Sequence, residues 1–390
     1  MRNWLRPLLL VGAITGEVRA QIPDLPKIGR NWTDVSYPKL FWTSKDGFTA
    51  GLYYAQIRPM GFLNFFEPQP YGGSLEIDGQ VSTSGSKLLV LEARLPRLVE
   101  GWRFAATAKV SREARAYYFG LGNQTAYDGT LENDQQPLYY RWNHKSAFLR
   151  AEAQRQIVGG LRALVGVHLE RSRTDTVAGL SLLAQNFAAD PSLEVERAVA
   201  QLGVRIGLVF DTRNDEVAPA RGVLLEGIHS QLGGESRFHR TTLSGAAYVT
   251  PFGRVTFAGR VVAQIAGGDP PLQALDLVEV SENVYAGVGG ERSHRAFLER
   301  RFLGADKLLF NADIRWEVIT TPTLYRVTLL TFLDAGRVFD QDGFRLTAQG
   351  LHVGAGGGIM LHFFRAAVMG ATVGFGEDGG TLTIHTQWSY

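Results

Sequence analysis

The stretch Leu308-Leu-Phe-Asn-Ala-Asp-Ile-Arg-Trp-Glu-Val318 decides how the rest of the chain is read. Side chains alternate across a strand with a period of two. Leu308, Phe310, Ala312, Ile314, Trp316 and Val318 therefore share one face, while Leu309, Asn311, Asp313, Arg315 and Glu317 share the other. A strand with one apolar and one charged face needs two solvents. In a soluble sandwich the charged face meets water and the apolar face a core. In a membrane barrel the apolar face meets lipid and the charged face a wet lumen.

The same two-faced pattern recurs outward from this strand. It predicts strands near Gly47–Arg58, Ser74–Ser84, Lys87–Arg97, Trp102–Arg115, Tyr139–Gln156 and Leu161–Thr174. Further strands are predicted near Val199–Asp211, Val223–Leu232, Phe238–Phe252, Val255–Ala266, Asp276–Val288 and Lys307–Ile319. The last are near Leu324–Phe339, Leu351–Phe363, Ala366–Phe375 and Thr381–Tyr390. That is about sixteen, an even number, as bacterial transmembrane barrels require. In hydrocarbon an unpaired backbone group costs several kcal/mol, so the first strand is expected to pair with the last. The expectation is an all-β, transmembrane antiparallel barrel of sixteen strands in a single domain over residues 47–390.

Composition agrees. Hydrophobic residues make up 45% of the 390 residues, enough for a large folded body. No stretch of the mature chain has the ~18–20 consecutive apolar residues a spanning helix needs. Glycine, at 45 residues, disfavours long helices. A net charge of +2 lacks the basic excess of a general nucleic-acid binder. With no cysteine, thiolate metal sites, disulfides and cysteine nucleophiles are excluded together. At the N-terminus, Arg2 and Arg6 precede an apolar run from Pro7 to Gly16, and Val18-Arg19-Ala20 offers a cleavage site. Residues 1–20 thus read as a secretory signal peptide, and residues 21–46 as a short periplasmic segment before the barrel.

The chain closes Leu382-Thr-Ile384-His-Thr-Gln-Trp388-Ser-Tyr390, with aromatics at the last and third-last positions. This ending resembles the C-terminal targeting strand of bacterial outer-membrane barrels, with Trp388 and Tyr390 as its signal. Tyr117-Tyr118-Phe119, Tyr139-Tyr140-Arg-Trp142 and Phe363-Phe364 lie near strand ends, where an interfacial girdle would place aromatics.

One constellation is more specific. Between two predicted strands lies Gly289-Gly-Glu-Arg-Ser-His-Arg295-Ala296-Phe297-Leu-Glu-Arg-Arg-Phe302. It is followed by Asn311-Ala-Asp313 on one strand and Phe332-Leu-Asp334-Ala-Gly336 on the next. Upstream stand Phe210-Asp211-Thr-Arg213 and Tyr117-Tyr-Phe-Gly120-Leu-Gly122-Asn123. In these motifs, over residues 47 to 390, the chain resembles the outer-membrane assembly factor superfamily (the bacterial surface antigen family, with BamA/TamA-like barrels). That family carries a Val-Arg-Gly-Phe/Tyr tetrad at the tip of its sixth outer loop. The tetrad reads His294-Arg295-Ala296-Phe297 here, keeping the arginine and the aromatic. The resemblance implies a long outer loop folded into the barrel, with Arg295 reaching Asp313 and Asp334, and Phe297 and Phe332 completing the lock. Alternation independently turns both acids toward the lumen. Ala296 departs from the family glycine and restricts the backbone at the loop tip. The bland alternative is that Arg292, Arg295, Arg300 and Arg301 form an exposed basic loop touching lipopolysaccharide.

No catalytic arrangement is legible. His352 and His362 share a face but lack a third ligand, and Gly354-Ala-Gly-Gly-Gly358 reads as a bend or a close backbone approach. The chain is expected to be no enzyme and to use no cofactor. The resemblance implies a bacterial outer-membrane protein assisting insertion or export of proteins or lipids. Its partners would be outer-membrane lipid, including lipopolysaccharide, and a periplasmic partner protein or client polypeptide. Such family members carry periplasmic modules before the barrel, and residues 21–46 are too short for one, so the barrel-only branch is expected. The alternative function is a passive channel or a surface-exposed, ligand-binding barrel.

Overall fold

The structure, a computed structural model, describes residues 31–61, 67–193, 195–282, 284–321, 324–339, 343–363 and 366–390. The signal peptide expected at residues 1–20 lies outside them.

Sixteen strands form one antiparallel sheet in which each pairs with its neighbour in sequence. They are β1 (Thr33–Thr43), β2 (Gly47–Arg58), β3 (Gly73–Ser82), β4 (Lys87–Val99), β5 (Trp102–Tyr117) and β6 (Arg141–Val158). Next come β7 (Leu161–Asp175), β8 (Ala198–Asp211), β9 (Gly222–Gly234), β10 (Phe238–Phe252) and β11 (Val255–Gly268). A two-residue ribbon of β12 (Leu277–Val278) and β13 (Tyr285–Ala286) interrupts the series. Then follow β14 (Asp306–Thr320), β15 (Tyr325–Phe339), β16 (His352–Phe363), β17 (Ala367–Gly376) and β18 (Gly379–His385).

The faces are inverted relative to a soluble protein. On β8, Leu202, Val204, Ile206 and Leu208 are 53–59% exposed, while Arg205 between them is 1% exposed. Aliphatic side chains stand outward in lipid, and the charged residues face in, as the alternation requires. Tight turns at Glu100–Gly101, Gly159–Gly160 and Gly253–Arg254 mark one rim. The long connections 118–140, 176–197 and 269–305 mark the other, and long loops lie on the extracellular side of such barrels.

Three expectations need correcting. The segment Thr33–Thr43, assigned above to a periplasmic stretch, is the first strand, paired from Thr33↔Ile57 to Thr43↔Gly47. Pro38 lies within it; proline donates no backbone hydrogen bond and is tolerated on an edge strand. The segment Asp276–Val288 is no wall strand. Apart from the short ribbon it lies in the 269–305 connection inside the barrel, with Val278, Val280, Tyr285 and Val288 buried against β11, β14 and β15. Its alternation arises because one side packs on this core and Glu279 on the other meets the charged wall. Finally, β1 and β18 are the two ends of the sheet, with no ladder joining them among the described residues. The wall has a seam.

Two of the three aromatic clusters also sit elsewhere than at a girdle, while Phe363 stands exposed at the end of β16 and Phe364 lies outside the described residues. Tyr118 and Trp142 are buried with Leu183, Leu272 and Leu303 in a cap built from the outer loops. Helix α1 (Leu182–Ala189) contributes Leu183 to this cap and starts at Ser181, whose Oγ accepts the Ala184 N–H at 3.3 Å.

Candidate functional site: the inward loop and the seam

The described residues of 269–305 run back down into the lumen, where four sets of ionic contacts hold them, and Arg301–Asp378 and Lys45–Glu299 add to these. At the tip, the Arg295 backbone N–H and Nε donate to Asp334 Oδ2 at 2.8 and 2.9 Å. Its Nη2 donates to Asp334 Oδ1 at 2.7 Å and Asp313 Oδ1 at 2.6 Å. Phe332 lies under the guanidinium, 4.0 Å from ring centroid to Cζ. Phe297 is fully buried, edge-on to Phe302. Four of the five residues singled out in the sequence, Arg295, Asp313, Phe332 and Asp334, therefore meet at one place, while Phe297 packs beside them in the cluster of Val288, Ala296 and Phe302. Burial alone would discharge Arg295, but the two carboxylates outweigh it and hold the guanidinium well above its ordinary range. Asn311 completes the site by donating to Asp334 Oδ1 at 2.7 Å and to Ser293 O at 2.6 Å.

The second contact is to β6 and β8. Glu279 Oε1 accepts from Arg150 Nη2 at 2.7 Å and Arg205 Nε at 2.6 Å. Burial raises the Glu279 carboxyl, but Arg150, Arg205 and Arg240 overcome this and bring it down to about 2. In the third, Arg103 on β5 holds both Glu282 and Glu216, the latter at 2.7 Å. In the fourth, Arg300, with a positive φ of 61°, meets Glu113 at 2.9 Å and Asp276 at 2.5 Å. The motif pointed to the tip alone. Glu279 and its arginines were missed, although Arg150, Glu152 and Arg205 all fall on lumen-facing positions of the alternation.

The glycine run on β16 is a close approach. A Cβ built on Gly354 would lie 2.2 Å from Ala296 Cβ, and one on Gly374 would lie 2.7 Å from Ala296 Cα. Ala296 itself does not have a positive φ, so its Cβ strains nothing and fills the groove that these glycines leave. Gly354→Ala is accordingly expected to destabilise the barrel by ~1–3 kcal/mol, the usual cost of overpacking. Ala296→Gly in the same chain should recover most of that loss. The check is the thermal unfolding midpoint in detergent of both single variants and the double. His352 and His362 do not pair: His352 stacks on Phe302 at 3.8 Å, and His362 bonds to Arg326.

The C-terminal residues are not a lipid-facing strand. After His385 the chain turns into the lumen. Trp388 is buried with Leu330, Phe332, Met360 and Val368, and Tyr390 donates its hydroxyl to Ala258 O at 3.2 Å. Arg315 bridges this tail to the lock, bonding Asp313 Oδ2 at 2.8 Å and Tyr390 O at 3.2 Å with Trp388 4.2 Å beneath it. Arg260 does likewise, donating to Ser389 O at 3.1 Å and Asn311 Oδ1 at 3.0 Å. Thr381 of β18 donates to Ala296 O at 3.2 Å. The turn inward spends Trp388 and Tyr390 on these cations and shortens β18 to seven residues. A tilted strand needs ~9–11 residues to cross a bilayer, so the wall is thinnest beside the locked loop.

Comparison with known proteins places this architecture. The chain superposes on BamA from Haemophilus ducreyi lacking POTRA domains 1–3 with a TM-score of 0.54 and 12% identity, over 91% of this chain and 69% of that one. It superposes on CdiB from Escherichia coli with a TM-score of 0.57 and 13% identity, over 90% of this chain and 61% of that one. At these identities the likeness is one of fold. No functionally curated protein matches in sequence. Residues 49–366 match the Omp85 superfamily domain. The chain is thus a bacterial outer-membrane β-barrel that belongs to the Omp85 superfamily.

Proposed function

We infer that this barrel assists the insertion or export of polypeptides at the outer membrane, working at the β1–β18 seam rather than through its lumen, and without catalysis or cofactor. The observation that carries this reading is the pairing of an unladdered, short-walled seam with an occupied lumen. An edge strand presents a row of unpaired N–H and C=O groups that can template another strand, and hydrocarbon makes leaving them unpaired costly. A client strand arriving at β1 would satisfy them. The seven-residue β18 matches less than a full bilayer thickness, so lipid beside it must thin. Arg295 and its partners keep the rest of the wall rigid while this edge works. Periplasmic partners or the client itself would supply the strand.

The passive-channel alternative fares worse, because the described residues of 269–305 pack inside the lumen and the outer loops cap it. The chain has no cysteine, so one cysteine placed in β1 and one in β18 give a clean tether. In a host depleted of the native protein, the oxidised tether should fail to restore outer-membrane protein composition, and reduction should restore it, with small-solute uptake unchanged throughout. Normal composition with the tether closed, or lost uptake with unaltered composition, would overturn the assembly role in favour of a channel.

A further inference from the structure

The outward face of the barrel is apolar over the middle of its strands, and at the rim that carries the long loops a row of cations breaks it. Lys87 on β4 is paired in register with Arg112 on β5, Arg112 with Lys145 on β6, and Lys145 with Arg173 on β7. All four side chains are exposed on the outer surface. Four cations thus stand side by side across four adjacent strands, at the rim that carries the long loops. Neighbouring strands are about 4.8 Å apart, well inside the ~8 Å screening length of physiological salt. Like charges placed directly opposite one another weaken a sheet. Arg171, paired with Ala147 one row lower, adds a fifth. Asp175 offsets part of this charge, accepting from Lys145 at 2.7 Å and from Arg173. Among the described residues Arg112 reaches only the Asn143 side-chain oxygen, at 3.3 Å. Lys87 and Arg171 have no hydrogen bond or ion pair among the described residues.

The row below is of the opposite character. Leu89, Val110 and Ala147 lie in register beneath the cations, and Leu91, Ala108, Leu149 and Leu169 beneath those. Ala147, with Ala50, Gly51 and Gly79 toward β2, leaves a concavity of about 1100 Å³ in the outer wall, which takes in Leu52, Val81, Leu89, Val110, Arg112 and Arg173. A second of about 470 Å³ lies below it among Leu91, Ala108, Leu149 and Leu169. The matching outer-rim positions of β9 to β11 carry Gln231, His239 and Gly267 in register, with no lysine or arginine.

We propose that this face is a binding site for a phosphorylated lipid of the outer leaflet, of the lipopolysaccharide class. Its phosphates would lie along Lys87, Arg112, Lys145 and Arg173, and its acyl chains in the apolar concavity beneath. The occupant follows from charge and position. A soluble anion would use the cations but leave the apolar concavity empty, and a zwitterionic lipid would fill the concavity but leave the repulsion among the cations unrelieved. Only a lipid with several negative charges in its headgroup satisfies both rows. Arginine forks and lysine point charges both suit phosphate oxygens, and anionic headgroups attract basic residues at a membrane surface. The cations stand on β4 to β7, and the concavity reaches across β3 to Leu52 of β2, next to the seam strand β1.

The test uses the full-length barrel in detergent, probed with purified lipopolysaccharide, with the same lipid after removal of its phosphates, and with inorganic phosphate. Native mass spectrometry and a binding titration at physiological salt read the result. Lipopolysaccharide should bind at least tenfold more tightly than its dephosphorylated form, and inorganic phosphate should not displace it. The Lys87→Glu/Arg112→Glu chain should lose at least tenfold in affinity, and the Lys87→Arg/Arg112→Lys chain should retain it. Should the charge reversal not fold, Lys87→Gln with Arg171→Gln carries the same expectation, since neither side chain holds a partner among the described residues. Equal binding of the dephosphorylated lipid, or unaltered affinity in the neutralised chain, overturns the proposal. Displacement by inorganic phosphate overturns it in favour of a free-anion site.

Discussion

In the Arg295→Ala barrel, protease cuts within residues 269–305 under conditions that leave the parent chain intact, and the thermal unfolding midpoint in detergent falls. Arg295 is 2% exposed, and its two carboxylate partners are 0% exposed at the side chain. Removing one partner of such a buried pair costs ~3–5 kcal/mol, because the remaining charges stay desolvated and uncompensated. Asp313 keeps Arg315, but among the described residues Asp334 keeps only the Asn311 amide and the backbone N–H of residue 295. Asp334→Ala should therefore cause a similar loss. The double variant should lose little more than either single one, since groups in one network do not add. Arg295→Lys should recover only part, because an ammonium cannot bridge two carboxylates in the fixed fork that a guanidinium offers. Additive losses, or a resistant loop in both single variants, would show that Arg295 and Asp334 do not act as a unit. The effect should reach the seam, since Asp313 leads through Arg315 to Tyr390, and Ala296 accepts from Thr381 of β18.

The tip of the loop was legible in the sequence for two separable reasons. Alternation places Asp313 and Asp334 on the lumen side of their strands, and the Arg295–Phe297 motif names what reaches them. The outer wall was legible from period-two writing alone, because lipid outside and charge inside force it residue by residue. Two segments defeated that rule in opposite ways. Thr33–Thr43 carries Pro38 and has few inward charges, since an edge strand beside a seam has no full lumen wall to line. Asp276–Val288 alternates convincingly, yet it faces the protein interior on one side and the charged wall on the other. Alternation reports two environments and not a position in the sheet. Trp388 and Tyr390 were misplaced for a related cause: aromatic rings suit a lipid interface, but they suit the faces of Arg315 and Arg260 equally well. The Gly354 groove was seen as a close approach, but its occupant, Ala296, could be named only from the folded chain.

The second large effect is expected at Glu279, which no motif announced because its partners Arg150 and Arg205 lie 129 and 74 residues away. Glu279→Ala leaves Arg150 with no acceptor among the described residues, while Arg205 retains Glu152 at 2.6 Å and Val280 O at 2.7 Å. The loss should be ~3–5 kcal/mol, as for any buried charge stripped of its counter-ion. It should fall on the descending half of the loop, so that cleavage appears near residues 270–288 while the Arg295 tip stays protected. Glu279→Gln, which keeps an acceptor oxygen but not the charge, should lie between the two. The pH dependence has a defined sign. The folded carboxyl is depressed to about 2 from an ordinary value near 4.5, so its stabilisation is complete above about 4.5 and disappears as the pH falls toward 2. The parent loop should thus resist protease equally well from pH 8 to pH 5 at this anchor and loosen only in stronger acid, and the Glu279→Ala chain should lose that acid limb. Should Glu279→Ala unfold at the parental midpoint with its descending half still protected, the inward loop would be held from its tip alone. The ionic contacts along its length would then line the lumen without holding the loop.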